Sequence, residues 1–373
     1  NWWGNGVAVR SGSGNWAEGL TTFMADYALD VERRKDGGRA RRLEWLRDYA
    51  ALPADRDRAL ASFAAKGMDA DRVIGYNKAA FVFHMLKREV GDRAFNKAIR
   101  DFWSARKFKA AGWADIERAF ETASGGNLKL FFRQWLDRPG APRLALGPVR
   151  LNERGGDYTV TLTLKQYGPV YRLTVPLRIR TEKGVRRFQV RMTDRRSRPL
   201  EISVDPDFDV FRRLSSREAP PIMRDVTLKG TTNVVVLAMN ASAEALARRM
   251  MDTAPRFIDA AGPPPDGPLF IIGDGETVAG YLERNGMAQE GLVPDAVKGP
   301  ATARVWTGRR PEKDGGAPYL VVEAENEAAL KALLGPLPHY RRQSYLVFNG
   351  SRAIRKGVWP PPSRSPLERR LDR

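Results

Sequence analysis

Glu18 lies in the run Asn15-Trp16-Ala17-Glu18-Gly19-Leu20, and Tyr76 opens the run Tyr76-Asn77-Lys78-Ala79-Ala80. A carboxylate is a zinc-ligand type, and a phenol is a hydrogen-bond donor. Both residues also have a plain structural reading. Asn15 and Glu18 have the spacing of a helix capping box, and an acid in the first turn suits the helix dipole. Tyr76 reads as a half-buried tyrosine at a helix start, with its hydroxyl on water. The chain has only two imidazoles, His84 and His339, and no cysteine. That excludes disulfides and thiolate metal sites, and it leaves no self-contained histidine zinc site. His84, in Phe83-His84-Met85-Leu86, reads as a satisfied core histidine, and His339 as a loop residue. Gly273-Asp274-Gly275, between a strand and a helix, hints at a phosphate turn. It lacks the full G-x-G-x-x-G pattern and its acidic partner, so it reads as a βα turn that needs glycine.

The elements that must position these residues change character along the chain. Residues 1–142 read as helical. Leu20, Phe23, Met24, Tyr27 and Val31 follow the spacing of an amphipathic helix. Arg41 to Ala50 is a second helix. Val73 to Val90 is apolar almost all round, as a buried helix is, and Gly91-Asp92 should end it. Helices over 93–105, 113–124 and 128–136 follow, and Pro139, Pro142 and Pro148 close the region.

Residues 143–219 switch to period two. Tyr158 to Leu164 alternates, and Leu173 to Ile179, Arg187 to Met192 and Leu200 to Val204 continue as strands. Turns fall at Gly155-Gly156 and Lys183-Gly184. The expectation is a small antiparallel β-sandwich. After Pro220-Pro221, residues 225–359 alternate strand and helix, which predicts an α/β domain with a mostly parallel sheet. Residues 360–373 read as an extended tail. The fold class is therefore α+β and multidomain.

Composition sets the outer bounds. With 42% apolar residues, 9 Trp and 16 Phe, the chain can bury sizeable cores and is too apolar to be disordered. Its longest apolar run is far below a membrane span, so no transmembrane segment is expected. The formal net charge of +19 raises the prospect of a nucleic-acid or anionic-membrane partner. The basic groups at 32–35, 39–42 and 186–198 contain or adjoin acids, and no stacking platform or groove-helix motif accompanies them. No specific nucleic-acid partner is expected.

Asn1-Trp2-Trp3-Gly4-Asn5 followed by Gly14-Asn15-Trp16-Ala17-Glu18-Gly19-Leu20 resembles the stretch after HExxH in the gluzincin zinc aminopeptidases. That is the family of membrane alanyl aminopeptidase and leukotriene A hydrolase. Tyr76-Asn77-Lys78-Ala79 resembles the family's Y-x-K-[GA] motif, and Asp205 to Leu214 looks like the end of the β-sandwich that follows the catalytic domain in bacterial relatives. The resemblance implies that residues 1–142 are the helical half of a thermolysin-like catalytic domain.

The same resemblance implies that Glu18 is the third zinc ligand of the parent protein. Tyr76 then donates to the oxyanion of the tetrahedral intermediate. Trp2, Asn5 and Asn15 are packing or supporting positions, with the Trp2–Asn5 segment continuing the zinc helix. A histidine directly before Asn1 would be separated from Glu18 by residues 1–17, one fewer than usual in the family, a difference that Ser11-Gly12-Ser13-Gly14 can absorb. The HExxH helix and the GxMEN loop that binds the substrate's free amine are not among residues 1–373. The chain alone is expected to be inactive and to need the upstream half of the catalytic domain. The implied partner is a peptide, and the expected location is exported or membrane-associated rather than cytoplasmic. Two alternatives stay open: a peptidase-like scaffold that has lost catalysis, and a basic binder of nucleic acid or anionic membrane.

Overall fold

A computed structural model describes the chain apart from residues 1, 66, 68, 155–156, 169, 183, 189–191, 195–198, 288–293, 312–315, 362–364 and 371–373. Asn1 of the opening motif, the Gly155-Gly156 turn, Lys183 of the next turn, the middle of the 187–192 strand and parts of the 360–373 tail lie outside the described residues. The chain divides into two compact units. One holds residues 1–49, 54–214 and 364–373, the other residues 50–53 and 215–363. The expected boundary at 142/143 falls inside the first.

The first unit starts with β1 (Ala8–Val9) and α1 (Ala17–Thr22). α1 runs through a π-helical turn, Phe23–Tyr27, into α2 (Ala28–Arg33). α3 (Gly37–Ala51) follows. Then α4 (Asp69–Arg72) leads through a second π-helical turn, Val73–Lys78, into α5 (Ala79–Arg106). β2 (Ala110–Ala111) pairs parallel with β1, and α6 (Trp113–Ser124) and α7 (Lys129–Leu136) complete the helical region.

One helical expectation needs correction. Leu20, Phe23 and Tyr27 are buried, but Met24 and Val31 are exposed. The π turn carries an extra residue, so the apolar stripe is out of phase at Met24 and Val31 while Tyr27 stays buried. The expected break at Gly91 is found: Gly91 takes φ 79° and ψ 161°, outside the helical range, so α5 is two helical segments that meet there, the second ending at Arg106.

β3 (Arg143–Arg154) and β4 (Asp157–Tyr167) form a long antiparallel hairpin. β5 (Leu177–Thr181), β6 (Gly184–Phe188), β7 (Met192–Asp194) and β8 (Pro199–Val204) follow. One sheet has the order β3-β4-β7. In the other, β5 lies between β6 and β8, and residues Glu368–Arg370 pair antiparallel with β8. Leu144, Leu146, Leu177, Val204 and Leu367 share one apolar cluster drawn from both sheets, and Val160, Ile179 and Ile202 form another. The strand expected from Leu173 begins only at Leu177. β3 was not expected at all, because Pro142 and Pro148 disguise it. The register shift between Leu146 and Val149 is where Pro148 is accommodated.

The second unit contains α8 (Arg224–Thr227), β9 (Asn233–Val236), α9 (Asn240–Met250), β10 (Arg256–Ile258), β11 (Leu269–Gly273) and α10 (Gly275–Arg284). β12 (Ala303–Arg309), β13 (Pro318–Ala324), α11 (Glu327–Leu333), β14 (Tyr345–Asn349) and β15 (Arg352–Gly357) complete it. The sheet order is β10-β9-β11-β13-β12-β14-β15. Only β10, β9, β11 and β13 are parallel; β12, β14 and β15 join antiparallel. The expected mostly parallel sheet is therefore mixed. Val234, Phe270, Ile272, Leu320 and Val322 face α9 and α11, while Val235, Leu269, Ile271 and Val321 face α10. That alternation is the period-two pattern of a sheet covered on both faces.

Candidate active site

Glu18 stands in the first turn of α1, flanked by the buried residues Trp16, Ala17, Gly19 and Leu20, and is itself only half-buried. Tyr76 lies in the second π-helical turn and is the one residue of Val73–His84 that is not buried. Glu18 and Tyr76 thus each stand half-buried between buried neighbours, and the two interact. Burial raises the Tyr76 phenol above its ordinary range. The Glu18 carboxylate raises it further, through its charge and as a hydrogen-bonding partner, and Arg72 opposes the shift. The phenol is therefore held protonated, as a hydrogen-bond donor, over the ordinary range of pH.

Close backbone approach sets this geometry. A Cβ on Gly19 would come 2.2 Å from the Ala79 Cβ, so α1 and α5 can touch only because residue 19 is glycine. A Cβ on Gly75 would come 2.2 Å from the Phe63 ring. Phe63 joins the two halves of the site. Its carbonyl accepts from the Asn15 amide at 2.6 Å, and its ring packs edge-on to Tyr76 at 6.1 Å. Nothing in its local sequence singles Phe63 out, because its partners are 48 residues before it and 13 after it, Asn15 and Tyr76.

Asn15 does not form a capping box with Glu18. Its Oδ1 accepts from the Ala17 amide at 3.1 Å and its Nδ2 donates to the Ala64 carbonyl at 3.0 Å. Its own amide goes to Phe63, so the Glu18 carboxylate is not committed to the Asn15 backbone. Trp16 anchors the helix start, with Nε1 donating to the Ala111 carbonyl at 2.7 Å.

The opening segment packs differently from the expectation. Residues 2–7 form turns rather than continuing a helix, with Gly4 at φ 93°. Trp2 is 64% exposed and leans on Trp103, with ring centres 4.9 Å apart, and Asn5 is exposed. The packing against α1 comes instead from Trp3 on Trp16 and from Gly4 beside Ala17.

His84 is the satisfied core histidine expected. Nε2 lies 3.0 Å from Asp209 Oδ1, and Nδ1 lies 3.3 Å from the Tyr27 hydroxyl. Burial, helped by Arg42 and Arg88, pushes it down to about 4, so it stays neutral. In the second unit, Asp274 caps α10 by accepting from the Thr277 amide at 2.9 Å and from its hydroxyl at 3.0 Å. The Gly273-Asp274-Gly275 turn thus uses its own carboxylate where a phosphate would have to sit.

A zinc ion needs three or four donors converging on one point. Among the described residues no group of three or more His, Cys, Asp or Glu side chains is so placed. Glu18 can offer one carboxylate, and His84 is committed to Asp209 and Tyr27. The residues present do not by themselves fit a zinc site. No helix among the described residues is long and apolar enough to cross a membrane.

Residues 1–135 match the family model of the peptidase family M1 domain. Aminopeptidase N of Lactococcus lactis subsp. lactis is 31% identical over 97 residues, 26% of this chain and 11% of that protein. The mitochondrial aminopeptidase 2 of Saccharomyces cerevisiae is 24% identical over 225 residues, 56% of this chain and 22% of that protein. Among solved structures, Legionella pneumophila aminopeptidase A in complex with aspartic acid aligns at 19% identity with a TM-score of 0.39. That alignment covers 68% of this chain and 27% of the other. The chain thus spans less than a quarter of either sequence relative that it matches.

Proposed function

We propose that this chain, whose residues 1–135 match the peptidase M1 family model, supplies part of the active site of a zinc aminopeptidase acting on peptide N-termini. The M1 aminopeptidases are zinc enzymes in general. The observation that carries the reading is the pairing of half-buried Glu18 with half-buried Tyr76, each set between buried neighbours. In this reading Glu18 offers its carboxylate to the metal. The remaining ligands and the general base come from an HExxH segment outside residues 1–373, and that metal supplies the electrophilic chemistry. Tyr76 keeps its proton and donates it in a hydrogen bond to the oxyanion that develops at the scissile carbonyl. Residues 1–373 alone are then inactive.

The test uses the protein that carries HExxH ahead of residue 1. Tyr76→Phe lowers kcat and kcat/KM together by about 10²–10³-fold, as the loss of one oxyanion donor does, with zinc content and fold unchanged. Glu18→Ala lowers zinc occupancy. Near-normal turnover in Tyr76→Phe refutes the catalytic role. Retention of zinc in Glu18→Ala, with a stability loss of about 1 kcal/mol, returns Glu18 to a helix-terminal role. Absence of peptidase activity from the intact protein leaves the non-catalytic scaffold as the reading.

A further inference from the structure

Tyr76 is followed by two buried polar side chains in a stretch, Val73–Phe83, whose other side chains are apolar. Asn77 is 2% exposed and Lys78 is fully buried, while Val73, Ile74 and Ala79 to Phe83 form the wall around them. Each is tied to a different element. Asn77 Nδ2 donates to Asp48 Oδ2 of α3 at 2.7 Å, and Asp48 is 1% exposed. Lys78 Nζ reaches the Arg138 and Gly140 carbonyls beyond α7, at 3.4 Å each. These polar contacts sit at the end of the π-helical turn Val73–Lys78, where the regular hydrogen-bond ladder gives way.

Apolar packing around such a turn is non-directional. It holds the turn in the core without dictating which residue faces outward. A helix turns by about 100° per residue, so a slip of one position would bury the phenol and expose Asn77 or Gly75. A short hydrogen bond between two buried side chains on separate helices is directional, and breaking it leaves a desolvated polar group. Of the two tethers, the Asn77–Asp48 bond is the shorter, and it lies immediately beside Tyr76.

We propose that Asp48 is a positioning residue: through Asn77 it fixes the rotational setting of the Val73–Lys78 turn, so that the Tyr76 phenol meets the Glu18 carboxylate. Asp48 acts from α3, with Asn77 between it and the reacting groups. The inference rests on the reading of Glu18 and Tyr76 as partners in one site, and its test separates the two.

The readout is the ring 13C resonance of Tyr76 in the 373-residue chain, assigned by its loss in Tyr76→Phe. In the wild type, Glu18→Gln shifts this resonance. If it does not, the pairing of Glu18 with Tyr76 fails, and the site reading fails with it. In an Asp48→Leu background the shift caused by Glu18→Gln falls at least twofold. In Asp48→Asn, which keeps an oxygen acceptor for Asn77 and removes the charge, it is retained. Asn77→Ala reproduces the loss without altering α3, and it serves if Asp48→Leu does not fold. A full-sized Glu18→Gln shift in folded Asp48→Leu or Asn77→Ala overturns the proposal. So does an Asp48→Asn that behaves like Asp48→Leu, since the charge of Asp48 rather than its grip on Asn77 would then be acting.

Discussion

The carboxylate of Glu18, in the first turn of α1, lies in hydrogen-bonding reach of the phenol of Tyr76, in the π-helical turn that precedes α5, and helps raise its pKa. Removing the carboxylate removes both its charge and its acceptor and leaves burial, opposed by Arg72. Glu18→Leu is therefore expected to lower the Tyr76 pKa toward the ordinary tyrosine value. Difference spectra of phenol ionisation, with Tyr76→Phe as the reference for the other tyrosines, check this. An unchanged titration would show that the Glu18 carboxylate does not contribute to the Tyr76 value.

The contact between Gly19 and Ala79 leaves no room for a methyl group. Gly19→Ala places a Cβ 2.2 Å from the Ala79 Cβ and 2.9 Å from its carbonyl carbon, so α1 must move off α5. The expected cost is about 1–3 kcal/mol, the range for an overpacked core, read as a lower urea midpoint at an unchanged slope. Adding Ala79→Gly relieves the side-chain clash but not the backbone one, so it recovers only part of the loss. A Gly19→Ala chain as stable as the wild type would mean that the two helices can separate freely there.

Glu18 and Tyr76 were singled out by their resemblance to the family's motifs, since their local sequence alone reads as a helix start and a half-buried tyrosine. The helix expected at 113–124 is found at Trp113–Ser124. What was not legible depends on residues distant in sequence. Phe63 matters because its carbonyl meets Asn15 and its ring meets Gly75 and Tyr76. The role of Asp48 depends on Asn77, on a separate helix. Pro142 and Pro148 masked β3, β12 was not expected as a strand, and antiparallel β14 looked like part of a parallel α/β repeat because local alternation does not encode strand direction. The π turns at Phe23–Tyr27 and Val73–Lys78 shift the helical phase by a residue, which a fixed 3.6-residue period cannot register.

One carboxylate does not make a zinc site. Residues 1–373 purified alone, dialysed against micromolar zinc, are expected to hold well under one zinc per chain and to release no amino acid from peptide substrates. His84 cannot join Glu18 without giving up Asp209 and Tyr27. Stoichiometric zinc that survives dialysis and is lost in Glu18→Ala would mean that the chain completes a site from its own residues.

The last prediction concerns acid. Arg42 donates to the Tyr27 hydroxyl, which lies 3.3 Å from His84 Nδ1, and His84 Nε2 lies 3.0 Å from Asp209 Oδ1. Arg42 and Arg88 also pair with Asp209, at 3.3 and 3.1 Å. With a neutral imidazole every proton in this chain of contacts has an acceptor: Tyr27 donates to Nδ1, and Nε2 donates to Asp209. A second imidazole proton would point at the Tyr27 oxygen, which already receives Arg42. Burial and the two guanidinium groups therefore outweigh Asp209 and hold His84 down to about 4, against an ordinary histidine value of 6.5. Between those values the unfolded chain binds a proton that the folded chain refuses. This contribution to stability is present above pH 6.5, falls as the pH drops toward 4, and levels off below. Its ceiling is about 3 kcal/mol. His84→Gln offers a donor and an acceptor without titrating. The stability difference between wild type and His84→Gln is therefore expected to shift against the wild type from pH 6.5 to 4, as measured by urea unfolding at each pH. Parallel pH profiles for the two proteins would show that His84 accepts its proton in the folded state as readily as in the unfolded one.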